Sequence, residues 1–200
     1  MKGVKICGLT RIADIQAANT AEPDYIGFVF YSKSRRYVTP EEAAELKKQL
    51  KPQIKAVGVF VDEDPALVVR LLQEEAIDIA QLHGGEEEAY IRSVRAGTGK
   101  PVMKAVSVCS EQDILAWKDS EADYLLLDHG SGGTGESFDW ALIPEISKPW
   151  FLAGGLHEGN LGSALATGAY ALDISSGAEM KGKKDPEKIM KLVSRIREHR

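Results

Sequence analysis

The feature that most constrains this chain is a regular alternation. Eight short β-rich runs, at 4–7, 25–30, 56–61, 79–82, 102–106, 124–127, 150–153 and 171–174, are each followed by a helical pattern. The runs recur about every 24 residues, which is the length of one strand, one three-turn helix and two short loops. Most are continuously apolar, Tyr124-Leu125-Leu126-Leu127 being the clearest. Such a strand is covered on both faces, as in a parallel sheet wrapped by helices. Eight of these units predict an α/β fold: a (β/α)8 TIM barrel with a parallel eight-stranded core, one domain over residues 1–200. The rival is an open doubly wound sheet. The near-even units, and the lack of a G-x-G-x-x-G after the first run, favour the barrel.

Helix starts are marked by their caps. Thr39-Pro40-Glu41-Glu42 combines an N-cap, a Pro at the first helical position and an acid at the third. Asp64-Pro65 and Asp185-Pro186-Glu187 repeat the Asp-cap, Pro-first signal, and Ser110 opens another helix. Apolar residues then fall at helical spacing, as at Val68, Leu71 and Leu72, or Ile189, Leu192, Val193 and Ile196.

Composition narrows the class. Twenty-five Lys and Arg against thirty Asp and Glu give a net charge of −5, a poor match to a general nucleic-acid binder. The longest apolar runs fall far short of the ~18–20 residues that span a bilayer, so no membrane partner is expected. Two cysteines, Cys7 and Cys109, build no disulfide scaffold and no CxxC zinc pattern. The opening Met1-Lys2-Gly3-Val4-Lys5 lacks the apolar stretch of a secretory signal. The expectation is a cytoplasmic protein with free thiols. Residues 181–200 carry eight Lys/Arg and three Asp/Glu, read as the solvated face of the last helix.

In barrels of this kind, function lies at the C-terminal ends of the strands. Phosphate groups often bind the loops after strands seven and eight, where Gly lets backbone N–H groups approach an anion. Gly154-Gly155 and Ser175-Ser176-Gly177 stand there. Cys7 ends the first run between Lys5 and Gly8. It is either a small core residue or a thiolate able to act as base or nucleophile. Asp128 closes three leucines, a setting partly shielded from water that suits a proton donor; the alternative is a loop-bonding Asp. Arg36 either clamps a carboxylate or, like Arg35 beside it, is a solvated loop residue. His83 is either ligand-binding or simply hydrogen-bonded, and the histidines show no metal-ligand spacing. These residues suggest a small acid–base enzyme for a phosphorylated metabolite.

The same residues carry a resemblance. Lys5-Ile6-Cys7-Gly8-Leu9-Thr10, Gly27-Phe28-Val29-Phe30, Gln81-Leu82-His83-Gly84, Leu127-Asp128, Gly132-Gly133-Thr134-Gly135, Ala153-Gly154-Gly155-Leu156 and Asp173-Ile174-Ser175-Ser176-Gly177 resemble, in order along the whole chain, the phosphoribosylanthranilate isomerases of tryptophan biosynthesis. The resemblance implies a (β/α)8 barrel that performs an Amadori rearrangement without metal or cofactor, as a monomer or homodimer. It implies Asp128 as general acid, Cys7 as general base and Arg36 on the anthranilate carboxylate. Gly154, Gly155, Ser175, Ser176 and Gly177 would hold the phosphate, with His83 and Asp173 in the site wall. Two stretches depart from the family pattern: Ser34-Arg35-Arg36 replaces its usual Ser-Pro-Arg, and His157-Glu158-Gly159-Asn160 its usual Asn-Pro-Glu-Asn. The first is expected to stiffen its loop less, the second to alter the cap after strand seven. Two other readings compete. A related isomerase, such as that of the histidine pathway, would call for two carboxylates, against which Cys7 argues. A non-catalytic phosphosugar-binding protein would need neither Cys7 nor Asp128.

Overall fold

The computed structural model describes residues 3–129 and 137–199. Eight parallel strands close into a barrel in sequence order. They are β1 (Gly3–Cys7), β2 (Tyr25–Val29), β3 (Lys55–Phe60), β4 (Ile79–Leu82), β5 (Val102–Ser107), β6 (Tyr124–Asp128), β7 (Trp150–Leu152) and β8 (Ala171–Ile174). Every expected run forms a strand, with ends shifted by at most a residue. The helices are α1 (Ile12–Ala21), α2 (Pro40–Lys48), α3 (Pro65–Gln73), α4 (Glu88–Thr98), α5 (Glu111–Leu115), α6 (Leu161–Ala166) and α7 (Pro186–Arg197). The β8–α7 connection carries a small antiparallel hairpin, β9 (Glu179–Met180) with β10 (Lys183–Lys184).

The caps form as the sequence suggests. Thr39 accepts from the Glu42 N–H while the Glu42 carboxylate receives the Thr39 N–H. Asp64 and Asp185 cap α3 and α7 through Ala66 and Lys188. One expectation fails. After β6 no α-helix follows among the described residues, only a 3-10 turn at Trp140–Leu142, and Pro144 and Pro149 deny its continuation. Asn160 does not cap α6. Its amide bonds the Gly155 carbonyl at 3.0 Å and its Oδ1 accepts from the His157 N–H at 2.9 Å. The altered stretch after β7 therefore closes its own loop.

Alternation along each strand divides the apolar residues into two sets. Outward residues such as Ile6, Phe28, Phe60 and Leu172 pack under the helices in one large cluster. Burying each contributes roughly 1.5–3 kcal/mol. Inward residues Tyr25, Val57, Ile79, Met103, Leu126, Phe151 and Ala171 form a second cluster inside the barrel. Barrel packing thus fills the lumen from the N-terminal end, and each strand's next inward position falls near its C-terminal end.

Candidate active site

In six of the eight strands those next inward positions are Cys7, Val59, Gln81, Asp128, Ala153 and Asp173, and all six line one cavity of about 550 Å³. The period of two in eight strands converts separate sequence positions into a single surface. His83, Arg36, Gly154, Gly155, Ser175 and Ser176 complete the wall with Val29, Tyr31, Ser34, Arg35, Val61 and Leu156. Every residue expected at the site is there except Gly177. Gly177 sits behind the wall, where a Cβ would strike the Leu156 carbonyl oxygen. Its small size lets the loops after β7 and β8 touch. The Gly132-Gly133-Thr134-Gly135 stretch lies outside the described residues.

Cys7 is buried at the end of β1, and its neighbours are charged. One layer down, Lys5 is fully buried and reaches Asp173 Oδ2 at 2.9 Å, the two residues being direct register partners of β1 and β8. Burial pushes the Cys7 thiol up; the Lys5 and Lys184 ammonium groups pull it down and Asp173 pushes it up again, leaving it above its ordinary value. Burial lowers Lys5, but the Asp173 and Cys7 charges outweigh it and keep the ammonium protonated. The sequence sets Lys5 beside Cys7, but its buried pair with Asp173 appears only in the closed barrel. Gly27 was also missed. A Cβ there would lie 2.7 Å from Cys7 Sγ, so β2 leaves the thiol its space.

Asp128 is buried at the end of β6. Its Oδ1 accepts from the His129 N–H at 2.8 Å, and its Oδ2 faces His83 Nε2 at 3.5 Å. His83 is oriented from behind by Gln81, whose amide nitrogen lies 2.9 Å from Nδ1. Asp173 Oδ1 is buried on the cavity wall without a protein partner.

Around the rim, Gly154 and Gly155 take left-handed φ values of 87° and 58°, which turns their peptide groups as an anion-holding loop requires. Ser175 Oγ donates to the Cys7 carbonyl at 3.1 Å, joining the β8 loop to β1. Arg36 crosses the cavity mouth. Its Nε donates to Glu179 Oε1 at 2.6 Å, and its Nη2 is buried without a partner. Cys109, by contrast, is exposed and remote.

Comparison with known proteins follows this geometry. A sequence model of the family described as N-(5'phosphoribosyl)anthranilate (PRA) isomerase matches residues 4–195. This chain belongs to that family. The N-(5'-phosphoribosyl)anthranilate isomerase of Paracoccus denitrificans is 45% identical, covering 96% of this chain and 95% of its own. The crystal structure of phosphoribosyl anthranilate isomerase from Thermus thermophilus superposes with a TM-score of 0.89 at 36% identity over the full length of both chains. A phosphoribosyl anthranilate isomerase in complex with reduced 1-(o-carboxyphenylamino)-1-deoxyribulose 5-phosphate superposes with a TM-score of 0.83 at 32% identity, covering 99% and 100% of the two chains. The resemblance and the barrel are thus borne out. Among the described residues no cluster of His, Cys, Asp or Glu is arranged to hold a metal, and no helix is long and apolar enough to cross a membrane.

Proposed function

We propose that this chain catalyses the Amadori rearrangement of N-(5-phosphoribosyl)anthranilate to 1-(2-carboxyphenylamino)-1-deoxyribulose 5-phosphate, with Asp128 as general acid and Cys7 as general base. The observation that carries the reading is that one cavity is lined at once by a thiol, a carboxylate, an arginine and the loops after β7 and β8. Protonated Asp128 gives its proton to the ribose ring oxygen. The C1–O bond breaks as the nitrogen lone pair forms a protonated Schiff base. The Cys7 thiolate removes the C2 proton, and the electron pair flows through C1–C2 to nitrogen, giving the enolamine. Its enol hydroxyl loses a proton and C1 gains one, yielding the ketone. Product and substrate are isomers, so no redox partner is consumed.

Each positioned proton-transfer group typically contributes ~10²–10⁴-fold. Lys5 and Lys184 help by favouring the thiolate. Arg36 pairs with the anthranilate carboxylate, and Gly154, Gly155, Ser175 and Ser176 hold the phosphate. Gly177 supports that grip by letting the two loops meet. His83 and Asp173 face the substrate from the wall. A cytoplasmic setting is part of this proposal, supported by the family's place in tryptophan biosynthesis.

The test is turnover of freshly generated phosphoribosylanthranilate, followed by loss of its fluorescence. Cys7→Ala and Asp128→Asn are each expected to lose ~10²-fold or more in kcat/KM while keeping the circular dichroism of the folded barrel. Near-full activity in either variant removes that residue from the mechanism. Ligand binding without turnover in the wild type would favour a phosphosugar-binding protein instead.

A further inference from the structure

The carboxylate clamp of the proposed site is not free-standing. Glu179, on the β9–β10 hairpin, is buried, yet three cations converge on it. Its Oε1 accepts from Arg36 Nε at 2.6 Å and from Lys184 Nζ at 2.8 Å, and its Oε2 accepts from Arg35 Nη2 at 2.8 Å. Lys184 Nζ donates in addition to the Ser175 carbonyl at 2.9 Å. Glu179 and Lys184 therefore bridge the arginines after β2 to the serine loop after β8.

The bridge is itself anchored. Lys188 of α7 donates to the Glu179 carbonyl at 2.8 Å, and Arg11 donates to the Lys184 carbonyl at 2.9 Å. The stem of Arg36 lies against Gly8, where φ is 84° and a Cβ would collide with Arg36 Cδ. Arg36 is thus fixed at two points, by space under its stem and by charge at Nε. Only its Nη groups remain for a ligand. Burial raises the Glu179 carboxyl, but hydrogen bonds from Arg36 and Lys184 and their charges win and hold it down to about 2. It is an anion throughout the working range of pH.

We propose that Glu179 is a positioning residue that sets the spacing between the two anion-holding ends of the site, so that a ligand carrying a carboxylate at one end and a phosphate at the other is held across both. This deepens the isomerase reading and rests on it. Arg35 supplies a second ionic tie between the same loops.

Wild type, Glu179→Gln and Glu179→Asp are titrated calorimetrically with two probes: inorganic phosphate, and the two-headed analogue reduced 1-(o-carboxyphenylamino)-1-deoxyribulose 5-phosphate. A small misplacement of a binding group commonly costs up to ~10²-fold, so analogue binding is expected to weaken by roughly 10–100-fold in Glu179→Gln. Inorganic phosphate, which needs one end only, binds as well or better, because the site gains net positive charge. KM rises by a factor similar to the analogue's loss, and kcat falls less than about threefold. Glu179→Asp keeps the charge but withdraws it by about one bond length, ~1.5 Å, and shows the same split if Glu179→Gln does not fold. In an Arg36→Met background Glu179→Gln costs nothing further, since the group it positions is gone. Equal losses for both probes, an undiminished cost in the Arg36→Met background, or unaltered analogue binding overturns the proposal alone. Failure of the wild type to bind the analogue overturns the isomerase reading, and the spacing role falls with it.

Discussion

At the N-terminal end of the barrel lumen, rings meet rings. Tyr25 and Tyr124 pack edge-on against Phe151 at 5.2 and 5.6 Å, and Tyr170 lies 5.9 Å from the same ring. At the C-terminal end, the same strands present Cys7, Gln81, Asp128 and Asp173 around an open cavity, with a buried Lys5–Asp173 pair as its floor. The lower end buries area through close packing, its tyrosine hydroxyls bonding one another. The upper end carries charges that must be satisfied by neighbours, at a desolvation cost of several kcal/mol per ion. Strand alternation joins the two along one strand direction: Leu126 and Asp128 on β6, Phe151 on β7 and Ala153 just past its end. Stability is concentrated below and chemistry above, on one continuous scaffold.

The largest expected effect tests that division from below. Phe151 is fully buried and touches three aromatic rings. Phe151→Ala should destabilise the fold by ~3–5 kcal/mol, read by urea denaturation, while kcat/KM per folded molecule stays within about twofold of wild type. A loss of turnover beyond the unfolded fraction would show that the lower layer shapes the site and break the division.

A smaller effect comes from above. Burial holds the Cys7 thiol above its ordinary value despite Lys5 and Lys184. The thiolate is then a smaller fraction of the enzyme at neutral pH than of a free cysteine. The base form grows as pH rises, so kcat/KM is expected to climb by up to about tenfold per pH unit between 7 and 9 on this limb. Folding favours the thiol form, so the associated stability is full below the unfolded value and lost as pH rises through the folded one. A flat profile between pH 7 and 9 would show that the base is already ionised or is a different group, and Cys7→Ala would tell the two apart.

What could be read from the sequence follows the same division. The eight strands and the Thr39, Asp64 and Asp185 caps are local signals, and each forms as expected. Cys7, Asp128, Gly154 and Ser175 were legible because they stand at strand ends, where the barrel rule points. The Lys5–Asp173 pair was not, since it forms across the β1–β8 closure, between residues 168 apart. Glu179 was not, because a hairpin of two-residue strands leaves no periodic trace and its partners come from other parts of the chain. Gly177 carried a correct signal with a different cause: the chain needs no side chain there, but for loop contact more than for a ligand. Local chemistry is written locally, whereas the charge pairs that tune it exist only once the barrel closes.

The smallest expected effect guards against reading all of the upper face as functional. Helix N-termini also point to that side, because each strand's C-terminal end leads into its helix. Asp64 is exposed on this face and accepts from the Ala66 N–H at 2.8 Å, capping α3. It does not line the cavity. Asp64→Ala should cost ~1 kcal/mol of stability, the usual worth of such a cap, and leave both kcat and KM unaltered. The measurement is the denaturation midpoint alongside steady-state turnover. A shift in KM would mean that α3 transmits its frayed end to Val59 and Val61 on the cavity wall. The boundary between supporting and reacting residues would then lie further from the lumen than the cavity lining suggests.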